Sequence, residues 1–220
     1  MKALSLARPL LIFVIGLPGA GKSFFARHFS ETFNAPLVSS DELQFELFSS
    51  PKFTAMEYGL IKRLAERQLV QLIKTGGSIV VDGLCNTRQE RQSLQKLATA
   101  HTYHTLVVWV QTDEPTAMAR SLNRNKKRAG DERNVKVTAA QFQNLAKRVV
   151  PPLKTEDFIV ISGKHAYSTQ AKMVLRKLAA PRAQKAAVAH QKETEQVRAR
   201  PPLPAPRRVS NPGRRNVIIR

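Results

Sequence analysis

Gly16-Leu17-Pro18-Gly19-Ala20-Gly21-Lys22-Ser23 is the stretch that decides the fold of this 220-residue chain. It matches the pattern G-x-x-x-x-G-K-[ST] of a phosphate-binding loop, whose glycines let backbone N–H groups converge on phosphate oxygens. The apolar run Leu10–Ile15 precedes the loop, and a helical pattern starting at Phe24 follows it. This context favours the motif, because the loop works between a buried strand and a helix N-terminus. The sequence therefore predicts a site for a nucleoside triphosphate.

Each part of the loop has an expected role. Lys22 is expected to reach the β- and γ-phosphates, and the Ser23 hydroxyl is expected to coordinate Mg²⁺. The residues expected to bind the nucleotide are Gly16, Pro18, Gly19, Ala20, Gly21, Lys22, Ser23 and Phe24. The alternative is a glycine-rich turn in some other α/β protein. ATP with Mg²⁺ is the predicted ligand.

Apolar runs and helical patterns alternate along the chain. The predicted strands are Leu10–Ile15, Pro36–Ser39, Ser78–Val81, Thr105–Val110 and Phe158–Ile161. The predicted helices are Phe24–Thr32, Asp41–Phe48, Met56–Lys74, Arg88–Ala100, Thr116–Arg124 and Thr138–Val149. In helix Met56–Lys74 the residues predicted to share one face are Leu60, Leu64, Leu69, Leu72 and Ile73. This alternation predicts an α/β protein with a three-layer α/β/α P-loop NTPase fold and a mainly parallel five-stranded sheet.

Composition divides the chain near residue 180. Residues 1–180 are expected to form the nucleotide-binding domain, and the last predicted helix spans Ser168–Ala180. Residues 181–220 are Pro-rich and basic and are predicted to be a disordered tail, because they cannot bury enough apolar surface. The net charge of the whole chain is +20. Such basicity either attracts polyanions, so that the tail makes nonspecific nucleic-acid contacts, or is solvated surface charge.

Cysteine content and hydropathy point to a cytoplasmic location. Cys85 is the only cysteine, so no disulfide forms within the chain. Lys2 and Arg8 ahead of an apolar run imitate a secretory signal, but cleavage there would destroy the phosphate loop. No segment approaches the roughly 20 apolar residues that span a bilayer, so no membrane contact is expected. The histidines are scattered and predict no zinc site.

Two carboxylates follow predicted strands, where ligands of doubly wound sheets bind. Asp41 follows the second strand and serves either as a base that accepts the proton of an attacking hydroxyl or as a helix cap, a role that Ser39 and Ser40 could also fill. Asp82 closes the third strand and either holds the Mg²⁺ shell or bonds to the turn at Gly83. The metal ligands predicted from the sequence are therefore Ser23 and Asp82.

Arg120 and Arg124 lie four residues apart, after the fourth strand. The polar, basic segment that follows could close over the nucleotide and bring a guanidinium to the transferring phosphoryl group. The alternative is a solvated helix end. Together with Lys22 and Asp41, these two arginines are the predicted catalytic residues.

The chain resembles P-loop kinases of the AAA-type ATP-binding class, typified by the kinase domain of phage polynucleotide kinase and by zeta-toxin-like proteins. The resemblance covers roughly residues 9–165 and rests on the phosphate loop, Ser39-Ser40-Asp41, Val80-Val81-Asp82-Gly83, Asn86-Thr87-Arg88-Gln89-Glu90-Arg91, Ala119-Arg120-Ser121-Leu122-Asn123-Arg124 and Pro151-Pro152. It implies phosphoryl transfer from ATP to a hydroxyl of a small molecule or nucleic acid, with Asp41 as the base. Members often carry Arg three residues after that Asp, whereas this chain has Gln44, which cannot offer a cationic fork.

Two functions are compatible with these residues. The first is a kinase whose phosphoryl acceptor the sequence does not identify. The second is a nucleotide-dependent binding module, a slow ATPase whose basic tail contacts nucleic acid.

Overall fold

The computed structural model describes residues 8–49, 51–52, 54–123 and 137–179. The strands it contains are β1 (Leu10–Ile15), β2 (Leu37–Ser39), β3 (Ile79–Asp82), β4 (His104–Gln111) and β5 (Phe158–Ser162). They form one sheet in the order β2-β3-β1-β4-β5, and every pairing is parallel. The prediction of a parallel five-stranded sheet is confirmed.

Helices connect the strands and cover both faces of the sheet. They are α1 (Lys22–Phe33), α2 (Ser40–Leu47), α3 (Ala55–Ile73), α4 (Arg88–Ala100), α5 (Glu114–Leu122), α6 (Ala139–Lys147) and α7 (residues 167–179). Helix α5 begins two residues before the predicted start, because Asp113 caps it and Pro115 is accommodated in the first turn. All described residues up to Leu178 belong to one compact unit.

Strand β1 lies at the centre of the sheet and is buried on both faces. Its odd-numbered residues, such as Leu11 and Phe13, join a core that α3 and α4 complete. Its even-numbered residues, such as Ile12 and Val14, join a second core that α1 and α7 complete. A strand covered by helices on both faces must be apolar throughout, which explains the unbroken run that marks it in the sequence.

Helix α3 corrects one prediction. Leu69 and Ile73 are buried as predicted, but Leu60 and Leu64 are 46% and 37% exposed. The buried face instead follows an unbroken four-residue spacing through Glu57, Ile61, Ala65, Leu69 and Ile73. Leu60 and Leu64 lie one residue before this row, about 100° around the helix from it.

Three predictions lie outside the described residues. They concern Arg124, the end of the last helix at Ala180 and the tail over residues 181–220, so the proposed division near residue 180 stays a prediction. Within the part of the chain that the structure describes, no helix combines the length and apolarity that a membrane span requires.

Candidate nucleotide and phosphoryl-transfer site

The phosphate loop links the end of β1 to the start of α1. Gly16, Gly19 and Gly21 all have positive φ, of 148°, 75° and 100°. A Cβ on Gly16 would lie 2.3 Å from the Val110 oxygen, and one on Gly19 would lie 2.2 Å from the Ala117 oxygen. The loop is therefore packed directly against the backbones of β4 and α5, and only glycine fits these positions without strain.

Lys22 is the first residue of α1 and folds back over the loop. Its Nζ donates a hydrogen bond of 2.9 Å to the Leu17 oxygen. The Thr112 hydroxyl at the end of β4 donates to the Ala20 oxygen at 3.1 Å, which ties the loop to the neighbouring strand. The structure therefore holds the Lys22 ammonium at the loop whose phosphates it is predicted to contact.

Asp82 ends β3 beside the phosphate loop, paired in register with Val14 of β1 and Ser39 of β2. The residue is 3% exposed, and its Oδ1 has no hydrogen-bond partner. Burial raises the pKa of Asp82, the Lys22 ammonium acts in the opposite direction, and the nearby charge of Asp41 raises the pKa further.

The residues around Asp82 fit a magnesium ion. The orphaned Oδ1 is a buried oxygen that lacks a donor or cation, and the Ser23 hydroxyl is close enough to lower the pKa of the Asp82 carboxyl. Mg²⁺ prefers a carboxylate and hydroxyl oxygens together with phosphate oxygens. Among the described residues, no group of three or more His, Cys, Asp and Glu side chains is arranged to hold a metal ion, so phosphate oxygens and water would have to complete the shell.

Asp41 lies in the first turn of α2 but does not cap it. The cap is Ser39, whose side chain accepts a hydrogen bond from the Glu42 N–H at 3.4 Å. Asp41 makes no hydrogen bond or ion pair to any other described residue, and it is half-buried. Of the two roles considered for Asp41, capping is excluded, and the carboxylate is available beside Asp82.

Gln44 has a structural role. It is buried, and its Nε2 donates to Glu57 of α3 at 3.0 Å. The Lys52 N–H donates to both oxygens of the same carboxylate, at 3.1 and 3.0 Å. The position three residues after Asp41 therefore joins α2 to α3 and offers no positive charge to a ligand.

Arg120 lies on the other side of the phosphate loop. Its Nη1 donates to the Gly163 oxygen at 3.1 Å, in the turn after β5. Gly163 is so close to the loop that a Cβ would lie 1.8 Å from the Ala20 oxygen. The structure thus brings Arg120 beside the loop, while Arg124 lies outside the described residues.

A cleft of about 660 Å³ opens beside the loop, at the carboxyl ends of β4 and β5. Leu17 of the loop, Trp109, Thr112 and Val149 line it, together with Lys164, which forms an ion pair with Asp113. The interaction with Lys164 and the hydrogen bonds from Thr116 in the first turn of α5 lower the pKa of Asp113. The cleft lies where ligands of parallel sheets bind.

Sequence reasoning missed a buried ion pair behind the site. Arg91 is fully buried and bonds both oxygens of Glu156, at 2.7 and 3.1 Å. It also donates to the carbonyls of Cys85, Asn86, Val150 and Pro151. Arg91 thus fastens the loop after β3 to the segment before β5. The sequence does not identify Glu156 as the partner of Arg91, because the two residues are 65 positions apart.

The family of the protein follows from a comparison with known domains. A family profile described as AAA domain matches residues 11–152, more than half of the chain. The chain belongs to this family. No curated protein matches the sequence. The family match agrees with the predicted AAA-type ATP-binding domain, while the narrower resemblance to polynucleotide kinase and zeta-toxin-like proteins is not confirmed.

Solved structures share the fold of this AAA domain protein at low sequence identity. The APS kinase CysC of Mycobacterium tuberculosis, solved with AMPPNP and APS, is 19% identical, with a TM-score of 0.57 over 78% of this chain and 98% of that chain. A sugar kinase from Janibacter sp. is 14% identical, with a TM-score of 0.57 over 77% and 94%. A gluconokinase from Sinorhizobium meliloti is 13% identical, with a TM-score of 0.54 over 88% and 98%. Likeness at this identity shows the P-loop fold alone.

Proposed function

We propose that the protein is a kinase that transfers the γ-phosphoryl group of ATP to a hydroxyl of a small molecule or nucleic acid. The observation that carries this proposal is the state of Asp41. It is not a helix cap, makes no bond to another described residue and lies close enough to Asp82 to raise the pKa of that buried carboxyl. A free carboxylate beside a phosphate loop and a metal-binding carboxylate can accept the proton of an attacking hydroxyl.

The other residues have complementary roles in this proposal. Lys22 binds the β- and γ-phosphates, and Ser23 and Asp82 hold Mg²⁺, which supplies charge neutralisation at the phosphate oxygens when bound. The backbone from Gly16 to Phe24 cradles the phosphates. Arg120 acts from the α5 side, a role that its bond to Gly163 in the turn beside the loop supports, and Arg124 is proposed to act with it. The kinases that share the fold support the same reaction class.

The test follows the label from γ-labelled ATP with Mg²⁺, with nucleic-acid 5′-ends, nucleotide sugars and a cytosolic metabolite extract added in turn. We expect label on one acceptor pool, with transfer abolished in Lys22→Ala. In Asp41→Asn we expect transfer to fall by about 10²–10⁴-fold while ATP still binds, because the proton acceptor is lost. Label released only as inorganic phosphate would contradict the kinase and favour the slow ATPase. Undiminished transfer by Lys22→Ala would also overturn the proposal.

The division into a domain over residues 1–180 and a tail over residues 181–220 stays a prediction, as does the cytoplasmic location. Nonspecific nucleic-acid contact by the tail is a separate prediction. The tail has ten Lys and Arg residues from position 179 onward but no aromatic side chain to stack on bases. Truncation after residue 180 should therefore weaken RNA binding in a salt-dependent way, and unchanged affinity would exclude the contact.

A further inference from the structure

A series of side-chain contacts runs from α2 through α3 and α4 to the residue that follows α6. It begins at α2, where Gln44 bonds Glu57 of α3. The next residue, Tyr58, donates its hydroxyl to Glu90 in the first turn of α4 at 2.6 Å. Glu90 also accepts from Arg148, at 3.3 Å. These contacts join α2, α3 and α4 to the end of α6, and Glu90 lies in the helix that follows the loop after Asp82.

The segment after α6 closes this arrangement and reaches the phosphate loop. The Val150 N–H donates to the Asn86 oxygen at 2.9 Å, four residues beyond Asp82. Val149, between Arg148 and Val150, lines the cleft together with Leu17 of the phosphate loop. Val149 and Val150 therefore connect Arg148 to the loop after β3 and to the cleft that Leu17 also lines, where an acceptor of the proposed reaction is expected.

Arg148 is held in a fixed position but keeps most of its donors. Its guanidinium stacks on the Tyr58 ring, 4.6 Å from the ring centroid, and one nitrogen bonds Glu90. The side chain is nevertheless 45% exposed. A guanidinium has five N–H donors in a rigid fork, so the remaining donors face outward in a preset geometry suited to a carboxylate or phosphate.

The carboxylate that holds Arg148 is itself fully engaged. One oxygen of Glu90 accepts from the Thr87 N–H in a capping box, at 2.9 Å, and the other accepts from Tyr58 and Arg148. Burial and the bond to Glu90 raise the pKa of Tyr58 well above its usual range, so this phenol stays protonated as a donor. Glu90 is therefore a support for Arg148 and has no further oxygen to offer to a ligand.

Two neighbouring features favour an anion that also carries hydroxyl groups. Arg88, in the first turn of α4, is exposed and makes no bond to another described residue, and it lies at a helix end that attracts negative charge. The Asn86 Oδ1 is a buried acceptor atom without a donor. A ligand hydroxyl would satisfy it, whereas leaving it unpaired costs free energy.

We propose that the phosphoryl acceptor is a small hydroxylated anion. Its carboxylate or phosphate binds Arg148 and Arg88, and one of its hydroxyl groups donates a hydrogen bond to the Asn86 Oδ1. This inference rests on the proposed kinase function and adds the substrate class. It also accounts for Gln44, because the positive charge missing from α2 is supplied from the end of α6 and the start of α4.

The experiment compares matched neutral and charged acceptors. The probes are glycerol, glycerate and glycerol 3-phosphate, and glucose, gluconate and glucose 6-phosphate. For each, label transfer from γ-labelled ATP is measured, together with the thermal shift of the protein saturated with a non-hydrolysable ATP analogue and Mg²⁺. We expect transfer and thermal protection from charged probes and little from neutral ones, and the carboxylate and phosphate arms distinguish which anion is preferred.

Variants connect the effect to the named residues. Arg148→Gln and Arg88→Gln should each raise the KM for the charged acceptor about tenfold or more, with the KM for ATP unchanged, because each loses charge-assisted hydrogen bonds. The KM of Arg148→Lys for the charged acceptor should lie between those of the wild type and Arg148→Gln, since lysine keeps the charge but loses the planar fork. Arg63→Gln, at an exposed position of α3, is the matched control and should have no effect. Arg88 makes no bond to other described residues, so its variant reports on binding even if changes at Arg148 lower stability.

The outcomes separate this inference from the kinase proposal. Charge-selective protection that Arg148→Gln abolishes, without label transfer, would refute the kinase and leave the anion site standing. Transfer to neutral and charged probes alike, or a KM for ATP raised by Arg148→Gln, would overturn the anion site and leave the kinase standing. Absence of both transfer and charge-selective protection would overturn both.

Discussion

Replacing Arg91 by Met should destabilise the protein severely. Arg91 has no exposed side-chain surface, and its partner Glu156 retains only 8%. Met keeps the apolar stem but removes every donor, so the carboxylate of Glu156 is left buried with few partners. Breaking a buried pair by removing one member costs about 3–5 kcal/mol, since the remaining charge is uncompensated.

This cost is large enough to measure by thermal or urea unfolding. For a chain of this size 1 kcal/mol corresponds to about 2–4 °C, so the Tm of Arg91→Met should fall by roughly 6–20 °C. The double variant Arg91→Met with Glu156→Leu should recover part of the loss, because no charge remains buried. Recovery should be incomplete, since carbonyls that Arg91 satisfied, such as that of Pro151, lose their donor.

The same pair predicts a pH dependence. Burial acts to raise the pKa of Glu156, but the hydrogen bonds and charge of Arg91, together with the hydrogen bonds from the Leu153 N–H and Gln95, outweigh it, so the folded-state pKa lies below the ordinary value. A lowered carboxyl pKa stabilises the folded protein above the unfolded value of about 4.3, and this contribution disappears as the pH falls through the folded value. The difference between wild type and Arg91→Met should therefore narrow in acid. A variant within about 1 kcal/mol of wild type at neutral pH would refute the reasoning.

Three further substitutions test other parts of the structure. Gly19→Ala should weaken ATP binding at least tenfold, because its Cβ would lie 2.2 Å from the α5 backbone, and equilibrium titration with a fluorescent ATP analogue measures this; unchanged affinity would contradict the packing. Leu60→Gln should change the free energy of unfolding by no more than about 0.5 kcal/mol, whereas Ile61→Ala should cost about 2–5 kcal/mol. Urea unfolding measures both, and equal losses would contradict the burial of Ile61 and the exposure of Leu60. Asp82→Asn should lose the Mg²⁺-dependent part of the thermal protection by ATP without lowering the Tm of the ligand-free protein, because it replaces a buried carboxylate that burial disfavours; retained Mg²⁺ dependence would remove Asp82 from the metal site.

The parts of the site that were predictable are those written in local sequence. The phosphate loop is one such part, because strand, glycines, Lys22 and helix follow one another without interruption. Asp82 is another, because a strand that ends on a carboxylate places it at the crest of any parallel sheet. The role of Asp41 was left open between cap and base, since Ser39, Ser40 and Asp41 all have cap chemistry. Backbone geometry decided for Ser39.

Long-range contacts were beyond sequence reasoning. Arg91 with Glu156, and Tyr58 with Glu90 and Arg148, join side chains separated by 32 to 65 residues. Nothing in the local pattern identifies such partners, because any arginine can pair with any acid. The exposed stripe at Leu60 and Leu64 was misjudged for a related reason. Two apolar rows on one helix are equivalent until the sheet contacts one of them.

The sequence by itself determined the P-loop fold, the alternation of strands and helices along the chain, and the phosphate-loop part of the site. Hydrophobic periodicity and glycine spacing act over a few residues, so these features are visible locally. Only the tertiary structure decided which charges are used internally and which remain available. It assigned Gln44 and Glu57 to joining helices, buried Arg91 on Glu156 and left Asp41 without a bond to another described residue and the side chains of Arg88 and Arg148 exposed. The free energy of a charged side chain depends on burial and on partners brought from distant parts of the chain, and these exist only once the chain has folded.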